Sequence, residues 1–424
     1  MEIKKFLLSI KSKYSGELIY SASSFFAPVI GFMSSFIATA FISPKEMGIM
    51  QAALLIPPYF SFLQLGVFNG LNRNVAFYKA RNDSIKVQKM VDTSYFVASI
   101  VSKIGLIFAT LFLVYALLYS DNIIAKIAPV MIIVSLAFAP YSSHMDTTFR
   151  SGSDFKLLGQ IKFKESFIHF IACLSPIVLG WIGKIIFEIV RPFSIYILRS
   201  QKQPIPPVGG FSFSEYKELL TIGFPLLLGG YIYTIFNIAD QSAIGYYLST
   251  TDLGNYTIAR LVLMTFLIIP TTLSILLYPK ASAKYSISRS NMGLRNFFWV
   301  SLGLNLLCLL PIAILVYYSL PYLVSTFLPD YVAGIEAAQI SIFTGLTFVS
   351  SGPSIIMGVV KRNTLYIIAI TIALVVFWLF AKYFYQENLN IENIAWLRFY
   401  VSFTFSVFLL LFCFYLTTLP EFNE

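Results

Sequence analysis

The feature that most limits what this chain can become is a succession of twelve apolar runs, each about 20 residues long and bounded by turn or charge signals. Their approximate bounds are 18–42, 48–77, 90–119, 123–149, 159–181, 183–198, 219–248, 254–278, 297–320, 334–360, 365–385 and 394–418. A run of that length crosses the hydrocarbon core of a bilayer as an α-helix, the simplest element that satisfies its own backbone in lipid. Composition agrees: 57% of residues are hydrophobic and 12% charged, against about a quarter charged in soluble domains. The chain is predicted to be an all-α integral membrane protein. Its 17% aromatic content suits lipid-facing surface and interfacial belts.

A formal charge of +10 could suggest a nucleic-acid partner, but the basic residues fall in short loops between apolar runs, which is how membrane topology is encoded. Placing the N-terminal tail and the even-numbered loops in the cytoplasm collects 21 Lys and Arg there. The opposite side keeps 5: Lys45, Lys126, Lys184, Lys382 and Arg398. Both termini are therefore expected in the cytoplasm, with residues 1–17 a basic tail rather than a signal peptide. Cys173, Cys308 and Cys413 sit in apolar segments without ligand spacing, so neither a disulfide framework nor a metal site is expected. The absence of a phosphate-binding loop, nucleophile elbow or zinc motif gives no support to ATP hydrolysis or enzymic chemistry, and no cofactor is expected.

The longest polar connection, residues 200–218, is rich in Pro and Gly and reads as a linker. It divides an N-terminal set of six spans (1–199) from a C-terminal set of six (219–424). The sets correspond. Residues 41–55 laid over 247–261 match Ser43 with Ser249, Glu46 with Asp252, Gly48 with Gly254 and Ala53 with Ala259. Six plus six in one orientation is a parallel repeat, an architecture that places a transporter's site between its halves.

Polar residues within the spans are the functional candidates, because a charge at mid-membrane costs about 2.5–3.5 kcal/mol on insertion scales. Asp240 lies inside the seventh run, and Tyr233, Asn237 and Gln241 stand with it at helical steps of three and four. That face either lines a cavity or forms a closed hydrogen-bond cluster. Four cations, Arg73, Lys103, Arg191 and Arg260, lie within spans. Glu188 precedes Arg191 by three residues, and a helical ion pair is the expected neutralisation. Arg73, Lys103 and Arg260 have no obvious local partner, so either they pair with acids on other helices, Asp240 among them, or they meet an anionic substrate. The small residues Ser24, Pro28, Gly31, Ser35 and Thr39 form a packing stripe on the first span, and prolines in the second suggest a kink. His144, Asp146, Glu165 and His169 read as a solvated cluster at helix ends.

The chain also resembles a known family. The Gly-led helix MGIMQAALL and the segment LGVFNGLNRNVAFYKA are similar to those of lipid-linked oligosaccharide flippases. The second half repeats their theme with Gly223-Phe224-Pro225, then Asp240, Ile244 and Gly245, then Gly254 to Ala259. PDYVAGIEAAQISIFTG at the tenth span is also similar. The family is the Wzx-type O-antigen flippase branch of the polysaccharide transporters, within the MOP (multidrug/oligosaccharidyl-lipid/polysaccharide) superfamily. The resemblance implies twelve helices in two six-helix bundles forming a V, and ion-coupled alternating access driven by H+ or Na+. It implies a substrate of undecaprenyl diphosphate carrying a sugar repeat unit, moved to the periplasmic leaflet of a bacterial inner membrane for lipopolysaccharide synthesis. A polysaccharide polymerase and a chain-length regulator are the partner proteins expected beside membrane lipid. Carried onto this chain, the diphosphate contacts fall to Arg73, Lys103 and Arg260, and ion coupling to Asp240. The alternative is a cation-coupled multidrug exporter of the same superfamily, which would favour an anionic cavity. A lipid II flippase would be expected to have fourteen spans, and a polysaccharide polymerase a large outer loop.

Overall fold

A computed structural model describes residues 23, 26, 28–151, 155–288, 291–360, 362–385 and 389–419. The predicted tail, the start of the first span with Ser24, and Lys361 lie outside the described residues. Among the described residues the regular structure is helical, without strands. The helices are α1 (Pro28–Phe41), α2 (Pro44–Leu54), α3 (Ile56–Phe60), α4 (Val67–Ala80), α5 (Ser84–Tyr119), α6 (Ile123–Ile127), α7 (Pro129–Ser151), α8 (Phe155–Ala172), α9 (Ser175–Leu179) and α10 (Trp181–Ser200). They continue as α11 (Phe213–Asn237), α12 (Ala239–Tyr247), α13 (Thr250–Asn255), α14 (Thr257–Ser288), α15 (Arg295–Phe327), α16 (Ile335–Leu346), α17 (Ser351–Val359), α18 (Asn363–Tyr385) and α19 (Ile391–Leu416).

As far as the described residues reach, each predicted run falls on one of these helices or on a broken succession of them. Among the described residues, eight segments are long and apolar enough to cross a membrane, and the bent pair 44–64 with 67–80 makes nine. The described part of α1 is shorter. Helices α8 and α10 are interrupted by charge, with Lys156, Lys162, Lys164 and Glu165 on one and Lys184, Glu188, Arg191 and Arg199 on the other. The expected kink in the second span exists, at 51°, but it lies at Leu65–Gly66 and not at Pro57–Pro58. The prolines occupy the first turn of α3, where a missing N–H costs nothing. The bend needs two consecutive left-handed residues, Leu65 at φ 49° and Gly66 at φ 87°.

The chain forms two compact units, residues 1–42 with 53–231, and 43–52 with 232–424. In the first, Val67, Leu71 and Val75 of α4 meet Met90, Val97 and Val101 of α5 and Leu219 of α11 in one buried cluster. A Cβ at Gly66 or Gly70 would collide with the backbone of Gly223 or Leu219, so α4 and α11 cross at backbone contact, as small residues allow in lipid. Segment 200–212 is strapped to this unit. Pro206 O accepts from Gln88 Nε2 at 3.0 Å, the Asp92 carboxylate accepts from Val208 N at 2.8 Å, and Thr93 Oγ1 from Ser212 N at 3.2 Å.

In the second unit the two matched hairpin segments pack on each other. Ser43 and Glu46 form a reciprocal cap at the start of α2, and Ser249 and Asp252 repeat it at the start of α13. A side chain at Gly48 would overlap the Thr250 carbonyl, and one at Gly254 would overlap the Pro44 carbonyl. These contacts exchange under the repeat, since Pro44 and Gly48 correspond to Thr250 and Gly254. One turn further along, Gln51 Nε2 donates to Thr257 Oγ1 at 3.0 Å, and those residues also correspond.

Overpacking a rigid contact costs about 1–3 kcal/mol or more. Gly48→Ala and Gly254→Ala should each lower the melting temperature of purified protein by several degrees, whereas Gly303→Ala, with nothing within 4 Å of its Cβ position, should leave it unchanged. Equal melting temperatures for all three would contradict this packing.

Candidate functional site

The seventh span is broken at Ile238, which leaves the helical region at φ −113° and ψ 5°. The expected face from Tyr233 to Gln241 is therefore not one continuous helical stripe. Asn237 closes α11, and Asp240 sits in the first turn of α12. No proline or glycine marks the position; its stabilising partner comes from the far end of the chain.

Arg398 of α19 is 2% exposed. Its Nη1 donates to the Phe236 carbonyl, its Nη2 to Asn237 Oδ1 at 3.1 Å, and its guanidinium lies 3.8 Å over the Phe236 ring. The last turn of a helix leaves carbonyls without intrahelical partners, and in lipid nothing else would satisfy them. A cation at that end also matches the helix dipole, and an acid in the first turn of the next helix matches the opposite pole. Asp240 supplies that acid. It is 0% exposed, its Oδ1 accepts from Gln241 N at 2.8 Å, and its Oδ2 accepts from the Tyr256 hydroxyl at 2.9 Å. Asp240, Tyr256 and Tyr233 all lie within electrostatic reach of Arg398.

From the sequence, Arg398 counts only among the basic residues of the outer side, whereas here it is buried within α19. The twelfth run, 394–418, already enclosed it, so an intramembrane arginine was there to be read. The structure brings Asn237, Asp240 and Gln241 together with it, and Tyr233 is half-buried nearby. Gln241 is 5% exposed, and its Oε1 has no hydrogen-bond partner.

Arg260 lies on α14 in the same unit, half-buried, with Nη1 donating to Gln51 Oε1 at 3.0 Å. Gln51 thereby links Arg260 to Thr257 across the paired hairpins. Arg73 on α4 and Lys103 on α5 belong to the first unit, and both are exposed. A cleft of about 900 Å³ between α18 and α19 is lined by Ile372, Val376, Phe380, Trp396, Val401 and other largely apolar side chains. Its walls carry no charged group to pair with a phosphate.

Glu188 has Lys184, one turn before it, as a partner at 2.6 Å, and Arg191 is exposed. One other expectation is corrected. The cluster at the ends of the fourth and fifth spans is a buried network rather than a solvated one. Glu165 is 5% exposed and takes both Nε and Nη2 of Arg199 at 2.8 and 3.1 Å, while Asp146 accepts from Nη1 at 3.1 Å. His144 meets Ser94 and Gln203, and His169 meets Ser194.

Removing one member of a buried charged pair strands the other, at about 3–5 kcal/mol. Arg398→Ala is expected to lower thermal stability strongly, and Arg398→Ala with Asp240→Asn to recover part of that loss. A double variant no more stable than the single one would contradict the coupling.

The sequence matches the family described as polysaccharide biosynthesis protein over residues 37–331. No curated protein matches the chain. Among solved structures it is similar to an inward-facing multidrug resistance MATE family transporter of the MOP superfamily, with a TM-score of 0.68 at 12% identity over 94% of this chain and 98% of that one. Lipid II flippase MurJ in an inward closed conformation gives a TM-score of 0.69 at 15% identity over 93% and 87%. A MOP superfamily transporter from Pyrococcus furiosus, described as having a binding pocket of reverse polarity, gives 0.67 at 12% identity over 95% of each chain. The fold is that of the MOP superfamily.

Proposed function

We propose a function from one premise: the chain belongs to the polysaccharide biosynthesis protein family. It acts as a flippase that carries undecaprenyl-diphosphate-linked oligosaccharide repeat units, of the O-antigen kind, from the cytoplasmic to the periplasmic leaflet of a bacterial inner membrane. The observation that carries this reading is the family match over 37–331 on a fold shared with a lipid II flippase.

Arg73, Lys103 and Arg260 take the role of diphosphate contacts. Charge-assisted bonds from Arg and Lys to phosphate are about twice as strong as neutral ones, and cations kept inside spans are costly unless they serve such a purpose. The sugar and diphosphate pass through a polar interior while the polyprenyl tail stays in lipid. Asp240 takes the ion-sensitive role, with Tyr233, Asn237 and Gln241 lining its surroundings, and H+ or Na+ drives alternating access of the N-terminal and C-terminal halves, 1–199 and 219–424, joined by the cytoplasmic linker 200–218. Both termini lie in the cytoplasm. A polysaccharide polymerase and a chain-length regulator would act on the product.

A second reading, multidrug export, is favoured by the likeness to MATE transporters. Intramembrane cations weigh against it, since they repel the cationic compounds such an exporter would carry.

A hydrogen bond to a charged group contributes about 1.5–3 kcal/mol, so losing one phosphate contact should slow flipping about tenfold or more. In a deletion strain complemented at matched protein levels, Arg73→Ala, Lys103→Ala and Arg260→Ala are each expected to cut surface polysaccharide by that order. Asp240→Asn should impair it as well. Normal polysaccharide in the deletion strain, together with new sensitivity to cationic drugs, would favour the exporter.

A further inference from the structure

The break in the seventh span raises a question that rests on the transport reading above: what neutralises Asp240 when no ion is bound. In discontinuous membrane helices, freed carbonyls at the end of a half-helix commonly coordinate Na+ or a proton carrier. Here that end is occupied. Two acceptors at the close of α11, the Phe236 carbonyl and Asn237 Oδ1, are held by Arg398.

Both carboxylate oxygens are likewise engaged by donors, and the buried Gln241 Oε1 is a neighbouring oxygen left without a partner. Gln241 N–H and Tyr256 O–H each donate to one oxygen of Asp240. A hard cation such as Na+ needs several oxygen lone pairs in place of hydrogen-bond donors. Charge points the same way, since Asp240 contributes −1 and Arg398 +1 in a pocket where both are essentially inaccessible. Adding a metal ion would leave an uncompensated positive charge in a low-dielectric interior, at a cost of the kind that keeps unpaired charges out of membranes.

We infer that Arg398 stands in the place of a coupling metal ion, a tethered guanidinium that holds the broken seventh span and excludes Na+ from the Asp240 site. The assignment makes Arg398 a specificity-determining residue: transport through this unit is independent of sodium because the chain carries its own cation.

The test is the thermal stability of the purified full-length protein, without substrate, in sodium chloride and in choline chloride of equal ionic strength. Wild type is expected to melt at the same temperature in both. Arg398→Gln, which keeps a donor but loses the charge, should gain a melting shift of several degrees that is specific to sodium, and Asp240→Asn in that background should abolish it. Arg398→Lys should remain insensitive to sodium. A sodium-specific stabilisation of wild type that Asp240→Asn removes would overturn the inference, as would a folded Arg398→Gln protein indifferent to sodium. If Arg398→Gln does not fold, the wild-type comparison and Arg398→Lys decide: insensitivity of both supports the inference, and a sodium response in either overturns it. None of these readouts involves polysaccharide, so a failure here is distinct from a failure of the flippase reading.

Discussion

A bilayer interior supplies no hydrogen bonds, so each carbonyl, amide and charge placed there must find its partner in the protein. That constraint is most visible at Ile238, where the seventh span stops and restarts. One half-helix ends in carbonyls that need donors, and the next begins with amides that favour an acid. Arg398 and Asp240 answer the two demands from opposite sides of the break, with the Tyr256 hydroxyl closing the carboxylate. Neither charge would be tolerable alone. A span that looks like a simple apolar crossing is held by a residue 162 positions away from Phe236.

The internal repeat has a physical account at a second place. Matching Ser43 and Glu46 with Ser249 and Asp252 is a statement about helix starts, because each pair builds the same reciprocal cap. Matching Gly48 with Gly254 is a statement about proximity. Both glycines are needed because each faces a backbone carbonyl of the other hairpin, Thr250 and Pro44 respectively. Duplicated sequence is thus read here as reciprocal contact, and Gln51 with Thr257 continues it into a polar bond that also engages Arg260.

Much of this was legible beforehand. The twelve runs follow from hydropathy alone, since length and apolarity are what a span requires. Asp240 was recognisable because a carboxylate among apolar neighbours has no inexpensive explanation. What stayed hidden depends on distant partners. The break at Ile238 carries no proline or glycine to announce it. The pairing of Glu165 with Arg199 joins two helices, and counting helical steps favoured Arg191 for Glu188 when Lys184 was equally placed. Arg398 was not singled out because sorting basic residues by side of the membrane treats an arginine near a span's start as a loop residue. The polar segment 200–218 reads as a linker, and the bonds of its first part to Gln88, Asp92 and Thr93 depend on partners more than a hundred residues away.

The proposed function turns on whether this protein moves a lipid bearing a diphosphate. The most direct measurement is transbilayer movement of a labelled polyprenyl-diphosphate oligosaccharide in vesicles containing the purified protein, compared with the corresponding monophosphate lipid. Protein-dependent movement of the diphosphate lipid, well above that of the monophosphate, is the predicted result. Movement of neither above empty vesicles, or equal movement of both, would contradict it.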